Sequence, residues 1–457
     1  MIKQYQNILF VIVVLVLISS VFFDVPLVAL LSLASFFFSL ILFIDRLGKT
    51  IPLRELAFLT ANLQLLASSF LAFYIQEPNK IFFPKVDAEI YFNFALPGIL
   101  LFGLGLFTFK GNINSEIIKN KLFNFNLFSF AKQLITIGYV AMVIQPFLPG
   151  ALTYFVTLLV FLTYIGGISV IFSKVDQNCK VIWLVIAFLP LVRDAFFSGI
   201  FFLALIWVAF AFLYYMNNKP NLSFNKKLAW VTIGMYLIIT LDGAKKDYRE
   251  VVWKDTYHQI SFIDRAGLLA QLSFERLTFQ NFMDDQNLSA RITRANQGAL
   301  VTWVMDWVPE NEGFAKGETI KSAVVSAIFP RILLPNKAKA GGKENFERFT
   351  GYELKGTSMN LSLLGEGWAN FGYWGGLAFM YCIGLFYSYC FKRFGNFINK
   401  YPVYFFFIPY LFIYTIKAED DLLTPLNHFF KALIVFIALH QVYFKKYFLK
   451  NKLYDTH

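Results

Sequence analysis

Apolar runs of about 15–20 residues recur from one end of this chain to the other, and no other feature limits its fold as strongly. In hydrocarbon every backbone N–H and C=O must find its partner inside the segment, so such runs read as lipid-crossing helices. Composition agrees: of 457 residues 57% are hydrophobic, only 15% are charged, and mean hydropathy is +0.56. A globular protein of this length needs far more charge on its surface. The net charge of +12 would suggest nucleic acid in a soluble chain, but most lysines sit in short loops between apolar runs, so no nucleic-acid partner is expected.

Taking each run as a span predicts helices over 8–23, 25–44, 56–75, 90–109, 127–148, 150–172, 181–197, 198–216, 228–241, 370–391, 403–417 and 422–444. The fold class is therefore an all-α polytopic membrane protein with about 12 transmembrane helices. The first run follows Lys3, lacks a small-x-small cleavage site and leads directly into the next span, so it reads as a retained anchor. With the N-terminus in the cytoplasm, the inner loops hold Arg46, Lys49 and Arg54, then Lys110, Lys119 and Lys121, then Lys174 and Lys180, then Lys219, Lys226 and Lys227, while Lys445 lies in the C-terminal tail. This satisfies the positive-inside rule and puts both termini in the cytoplasm. Three regions follow: N-terminal transmembrane helices over 1–241, an extracytoplasmic loop domain over 242–369, and C-terminal transmembrane helices with a cytoplasmic tail over 370–457. Within the loop domain 257–282 and 289–308 have helical apolar spacing, Pro309 closes the second, and 309–360 reads as loop.

Arginine is concentrated in the loop domain, as Arg249, Arg265, Arg276, Arg291, Arg294, Arg331 and Arg348, whereas the inner loops use mostly lysine. A guanidinium offers a planar fork to phosphate or carboxylate, so singly placed arginines suit a defined anionic ligand. Pairing with local carboxylates such as Asp264 or Glu275 is the plainer alternative. Arg193-Asp194 interrupts an apolar stretch at the expected outer mouth of a helical hairpin, either as a phosphate contact or simply as the turn between two helices. Arg331 stands between Pro330 and Pro335, which forbid a regular helix there. Glu366 enters the next span among small residues, where it suits a general base or a helix-start residue. Asp420 and Asp421, after Glu419, are the alternative carboxylates, although a solvated loop is the simpler account of them. His258 is the single histidine of the loop domain, a candidate base or an ordinary interfacial residue. The sequence contains no Gly-rich phosphate loop and no metal-like His spacing, so neither cofactor nor metal is expected.

The order of Pro330-Arg331-x-Leu-x-Pro335-x-Lys337, then Thr357-Ser358-x-x-x-Ser362, then Glu366-x-x-x-Asn370-Phe371-Gly372-x-x-Gly375 resembles the Wzy-type oligosaccharide repeat-unit polymerases of O-antigen, lipopolysaccharide and exopolysaccharide synthesis. The motifs cover about 330–376, and the hydropathy layout is similar over nearly the whole chain. The resemblance implies a glycosyltransferase C-like, metal-independent enzyme of the bacterial inner membrane that moves a glycan from undecaprenyl or related polyprenyl diphosphate onto a second lipid-linked repeat. It implies as partners the lipid-linked substrates, the bilayer, and possible chain-length regulator and flippase proteins. On that reading Arg193, Arg331, Arg291, Arg294 and Arg265 hold the diphosphate, and Glu366, Arg331 and His258 serve the reaction. An O-antigen ligase-like glycan transferase, or a transporter or flippase of lipid-linked sugars, is the alternative. The flippase reading is less favoured, because mid-span charges are scarce, Lys132 and Lys431 being the notable ones, and no internal repeat is apparent.

Overall fold

The computed structural model describes residues 25–445 apart from 75–82, 112, 114, 124, 220–221, 254–260, 276–291, 294, 330–333, 335–336 and 356, together with Val11 and Val14. Among the described residues the regular elements are helices, with no strand. In chain order they are α1 (Leu27–Arg46), α2 (Leu53–Tyr74), α3 (Ala88–Thr108), α4 (Ser115–Leu122), α5 (Leu127–Phe147), α6 (Leu152–Ile171), α7 (Gln177–Ser198), α8 (Phe202–Asn217) and α9 (Phe224–Val252). Next come α10 (Phe262–Glu275), α11 (Gly298–Trp307), α12 (Glu318–Ile328), α13 (Lys343–Thr350), α14 (Ser362–Lys400), α15 (Ile408–Phe412) and α16 (Leu423–Phe444).

Nine of these, α1 to α3, α5 to α7, α9, α14 and α16, are long and apolar enough to cross a membrane among the described residues, as an all-α polytopic membrane protein requires. The run expected over 8–23 lies outside the described residues but for two positions. Two other expected spans are shorter than a regular crossing. The run at 198–216 forms the 16 residues of α8, and that at 403–417 becomes a 3₁₀ segment over Pro402–Phe407 followed by the five residues of α15. At about 1.5 Å per residue α8 is roughly 24 Å long, against roughly 30 Å of hydrocarbon. The expected 228–241 span errs the other way, since α9 runs 29 residues and carries its charged last turns along.

The segment expected as loop over 309–360 contains α12 and α13. Helix α12 is built of small residues, with Thr319, Ala323, Ser326 and Ala327 buried, so large-residue periodicity does not announce it. Within the helix expected over 289–308 the described residues form α11 from Gly298, preceded by non-helical Asn296 and Gln297, and Asn296 Oδ1 accepts from the Ala299 N–H at its start. Helices α11 and α13 close a small core of Trp303, Val304, Phe346 and Phe349 against Leu361 and Ala369.

Helices α3 and α14 pack along one another through glycine. A Cβ on Gly105 would lie 2.4 Å from the Tyr381 carbonyl oxygen, and one on Gly384 2.2 Å from that of Phe102, so the backbones meet where a side chain has no room. Helix α14 breaks at Gly372, whose φ of 64° and ψ of −153° suit only glycine. Residues 362–371 thus form a short arm that folds back on 373–400, with Gly367 against Gly376.

Candidate functional site

The folded-back arm of α14 carries Glu366 to a buried position between α12 and the start of α16. Its two oxygens are held separately: the Thr319 hydroxyl donates to Oε1 at 2.7 Å, and the Leu422 N–H donates to Oε2 at 2.7 Å. Asn370, one turn on, donates to the Thr319 hydroxyl oxygen and to the Glu366 carbonyl, both at 2.8 Å, and accepts from the Gly317 N–H at 3.0 Å. The 315–317 segment runs beside the arm, with the Ala315 and Lys316 N–H groups donating to the Ala369 and Asn370 carbonyls. Among the described residues the Glu366 carboxylate is thus held by a hydroxyl and a backbone N–H rather than by a cation. Hydrogen bonds to a buried carboxylate are each worth about 1.5–3 kcal/mol, and here they tie the Leu422 loop to α12.

That loop presents Asp420 and Asp421, which are only 2% and 1% exposed. The expected solvated loop is thus corrected: only Glu419 of the three faces solvent to a sizeable extent, at 35% of its side chain. Asp420 Oδ1 accepts from Asn360 Nδ2 and from Lys417 Nζ, each at 3.0 Å, while the buried Oδ2 has no hydrogen-bond partner among the described residues. Asp421 accepts from the Thr424 hydroxyl at 3.2 Å and is a charge neighbour of Glu366. Burial pushes the Asp420 carboxyl up to about 6 against the pull of Lys417, and burial raises Asp421 as well, opposed by the bonds from Thr424. A carboxylate poised near neutrality, with one buried oxygen left unbonded among the described residues, has the basicity to accept a proton from a hydroxyl that reaches it.

Lys417 Nζ also bonds Glu419 at 3.0 Å and stands 4.3 Å from the centre of the Phe202 ring. Phe202 opens α8 just after the turn at Gly199, so the α7–α8 turn borders the carboxylates. In the last turn of α7, just before Gly199, two arginines share the Phe197 ring, Arg265 at 4.6 Å and Arg193 at 5.4 Å from its centre. Arg265 is buried and donates to the Phe197 carbonyl at 3.3 Å, whereas Arg193 is exposed. Arg193-Asp194 is not the inter-helix turn that one reading expected: α7 continues through both to Ser198, and the turn follows at Gly199 with φ of 67°. Two guanidiniums on one ring, one with an open face, form a cationic seat suited to a phosphate group.

Of the other residues expected from sequence, Arg331, Arg291, Arg294 and His258 lie outside the described residues. Two loop-domain arginines have plainer partners. Arg348 bonds Glu312 at 2.7 Å and Glu318 at 3.1 Å, and Arg249 donates to the Gly199 carbonyl at 2.8 Å and stacks on Trp253. His428 donates from Nε2 to the Tyr410 carbonyl at 2.8 Å, which leaves Nδ1 to pair with the Tyr154 hydroxyl at 2.8 Å; both ring nitrogens are engaged in the packing of α16. Among the described residues no three His, Cys, Asp or Glu side chains converge as metal ligands. Sequence reasoning missed Lys417, Thr319 and Asn360. Lys417 had a visible signal, a lone cation closing an apolar run three residues before Asp420. The chain matches no family model, no curated protein and no solved structure.

Proposed function

We propose that this chain is a glycosyltransferase that polymerises polyprenyl-diphosphate-linked oligosaccharide repeat units at the outer face of a bacterial cytoplasmic membrane. The observation that carries the reading is what meets at the α7–α8 turn: Lys417, the partner of a buried Asp420 whose other oxygen is unpaired among the described residues, against Phe202, and the Arg193–Phe197–Arg265 stack just before Gly199. A glycosyl diphosphate substrate needs both, a proton acceptor for the incoming hydroxyl and fixed positive charge for the departing diphosphate. The acceptor hydroxyl oxygen bonds to the anomeric carbon as the bond from that carbon to the phosphate oxygen breaks. The hydroxyl proton passes to the carboxylate, and polyprenyl diphosphate leaves with the electron pair. Release of the diphosphate drives the transfer, and the protein mainly positions two lipid-linked substrates.

Within the cluster Asp420 is the better proton acceptor, because both Glu366 oxygens are already bonded and one of them holds the loop that carries Asp420. Glu366 is then the residue that sets the position of Asp420. Arg331, bracketed by prolines, remains a proposed diphosphate ligand beside Arg193 and Arg265, with Arg291 and Arg294 as further candidates and His258 as a second candidate base. The proposed topology has twelve spans, both termini in the cytoplasm and 242–369 outside, which puts every group just named at the outer face.

The experiment supplies purified protein in lipid nanodiscs with the lipid-linked repeat that accumulates in cells lacking it. A ladder of longer glycans without any nucleotide sugar, undiminished by chelator, is the expected product. No ladder sinks the polymerase reading, and activity lost in chelator and restored by a divalent metal replaces the arginine seat with metal-dependent transfer.

A further inference from the structure

At the end of the helices opposite the carboxylates, where the short lysine-bearing loops lie, a cavity of ≈ 960 Å³ opens between α2, α3, α4, α14 and α15. Among the described residues five cations line it, Arg46, Lys49, Arg54, Lys110 and Lys121, with a single lining carboxylate, Glu55. Glu55 is 3.6 Å from Arg46 Nε and also faces the Arg54 charge, so two guanidiniums share it. Lys49 is matched by Asp45 at 2.7 Å. The positive-inside rule accounts for cations in exposed loops, but it does not account for guanidiniums in the wall of a half-open cavity with apolar sides. Low-dielectric walls of this kind focus the field of the charges that they surround.

We propose that this cavity is a second binding site, for an anionic phosphate-headed amphiphile, with the phosphate on Arg46, Arg54 and Lys110 and the apolar body along Phe107, Ile113 and Phe394. Three observations point to that chemistry. The Arg54 guanidinium is held in place by a 2.6 Å bond to the Phe109 carbonyl, which fixes its planar fork before any ligand arrives. Arg54 Nη2 donates to the Ser388 carbonyl at 3.5 Å, a long bond, and a Cβ at Gly111 would lie 3.1 Å from that nitrogen, so glycine leaves room for a ligand on that side of the fork. The volume lies near the upper end of the roughly 300–1,000 Å³ usual for small-molecule pockets, far more than an inorganic anion fills, and the aromatic and isoleucine walls suit a chain rather than water. The ligand's source is either a leaflet phospholipid or a soluble phosphate compound, and the site is independent of the transfer reaction at the other end.

Native mass spectrometry of the full chain released from detergent tests this with short-chain phosphatidylglycerol, short-chain phosphatidylcholine and sn-glycerol 3-phosphate. Wild type is expected to retain phosphatidylglycerol about tenfold more tightly than phosphatidylcholine, as a net negative headgroup in a cavity whose lining cations outnumber its carboxylate predicts. Arg46→Gln combined with Lys110→Gln should remove that preference, and Gly111→Val, which leaves every charge in place and covers Arg54, should weaken phosphatidylglycerol to a similar extent. Displacement by millimolar sn-glycerol 3-phosphate assigns the site to soluble phosphate compounds, and failure to displace assigns it to leaflet lipid; both support phosphate recognition. Equal retention of the two lipids by wild type overturns the proposal without recourse to any variant, as does unchanged retention in both variants.

Discussion

Asp420 joins properties that seldom coincide in one carboxyl group: burial, a charged partner on one oxygen and, among the described residues, no partner on the other. Asp420→Asn should lower turnover by about 10²–10⁴-fold, the usual contribution of a general base. In wild type the kcat/KM profile should show an acid limb near pH 6, activity rising as Asp420 loses its proton, and the variant should lack that limb. Stability carries the opposite sign. The folded carboxyl sits above its ordinary value, so its contribution is complete below about pH 4 and is lost as pH rises through about 6. Thermal denaturation in detergent from pH 4 to 7 should therefore slope downward for wild type and less so for Asp420→Asn. Glu366→Gln keeps an acceptor for the Leu422 N–H and can turn its amide to Thr319, so it should reduce the rate but preserve the acid limb. If Glu366→Gln removes the limb while Asp420→Asn keeps it, the two roles exchange. Glu366 itself was recognisable from its place among small residues at a span's beginning, and Asp420 only as one of three adjacent acids.

The helices show where local pattern suffices and where it does not. Long apolar runs locate α1 to α3, α5 to α7 and α16 to within a few residues, because lipid-facing composition is a property of each segment alone. Helix α12 escaped that reading because its buried face is Thr, Ala and Ser, chosen for close approach to α16 rather than for hydrophobic bulk. The break in α14 belongs to the same class, since Gly372 differs from its neighbouring glycines only in backbone angles. Close packing of α3 on α14 makes a direct test. Gly384→Ala must move the Phe102 carbonyl and should cost about 1–3 kcal/mol as overpacking, read as a lower midpoint in detergent unfolding. Gly234→Ala in α9, with nothing within 4 Å of the new methyl, should instead be neutral or gain up to about 1 kcal/mol from helix propensity. Equal loss in both would mean that the α3–α14 contact is no tighter than an ordinary lipid-facing surface.

For the whole molecule the open quantity is orientation, which the proposed function needs and which the loop lysines predict. In a chain freed of Cys179, Cys382 and Cys390, single cysteines at the exposed positions 316 and 226 should label oppositely: an impermeant reagent on intact cells modifies 316 and spares 226. The reverse pattern inverts the topology and moves the carboxylate end to the cytoplasm. Membrane class and the course of most spans are determined by sequence alone, because hydropathy and loop charge act segment by segment. The site was decided by tertiary structure. Asp420 is buried because Asn360 and Lys417 close on it, Glu366 because Thr319 and Leu422 do, and Arg265 because α7 offers the ring of Phe197. Nearly all of those partners lie tens of residues away along the chain. Whether an acid is solvated or held near neutrality depends on which distant groups enclose it, and one-dimensional pattern carries no record of that enclosure.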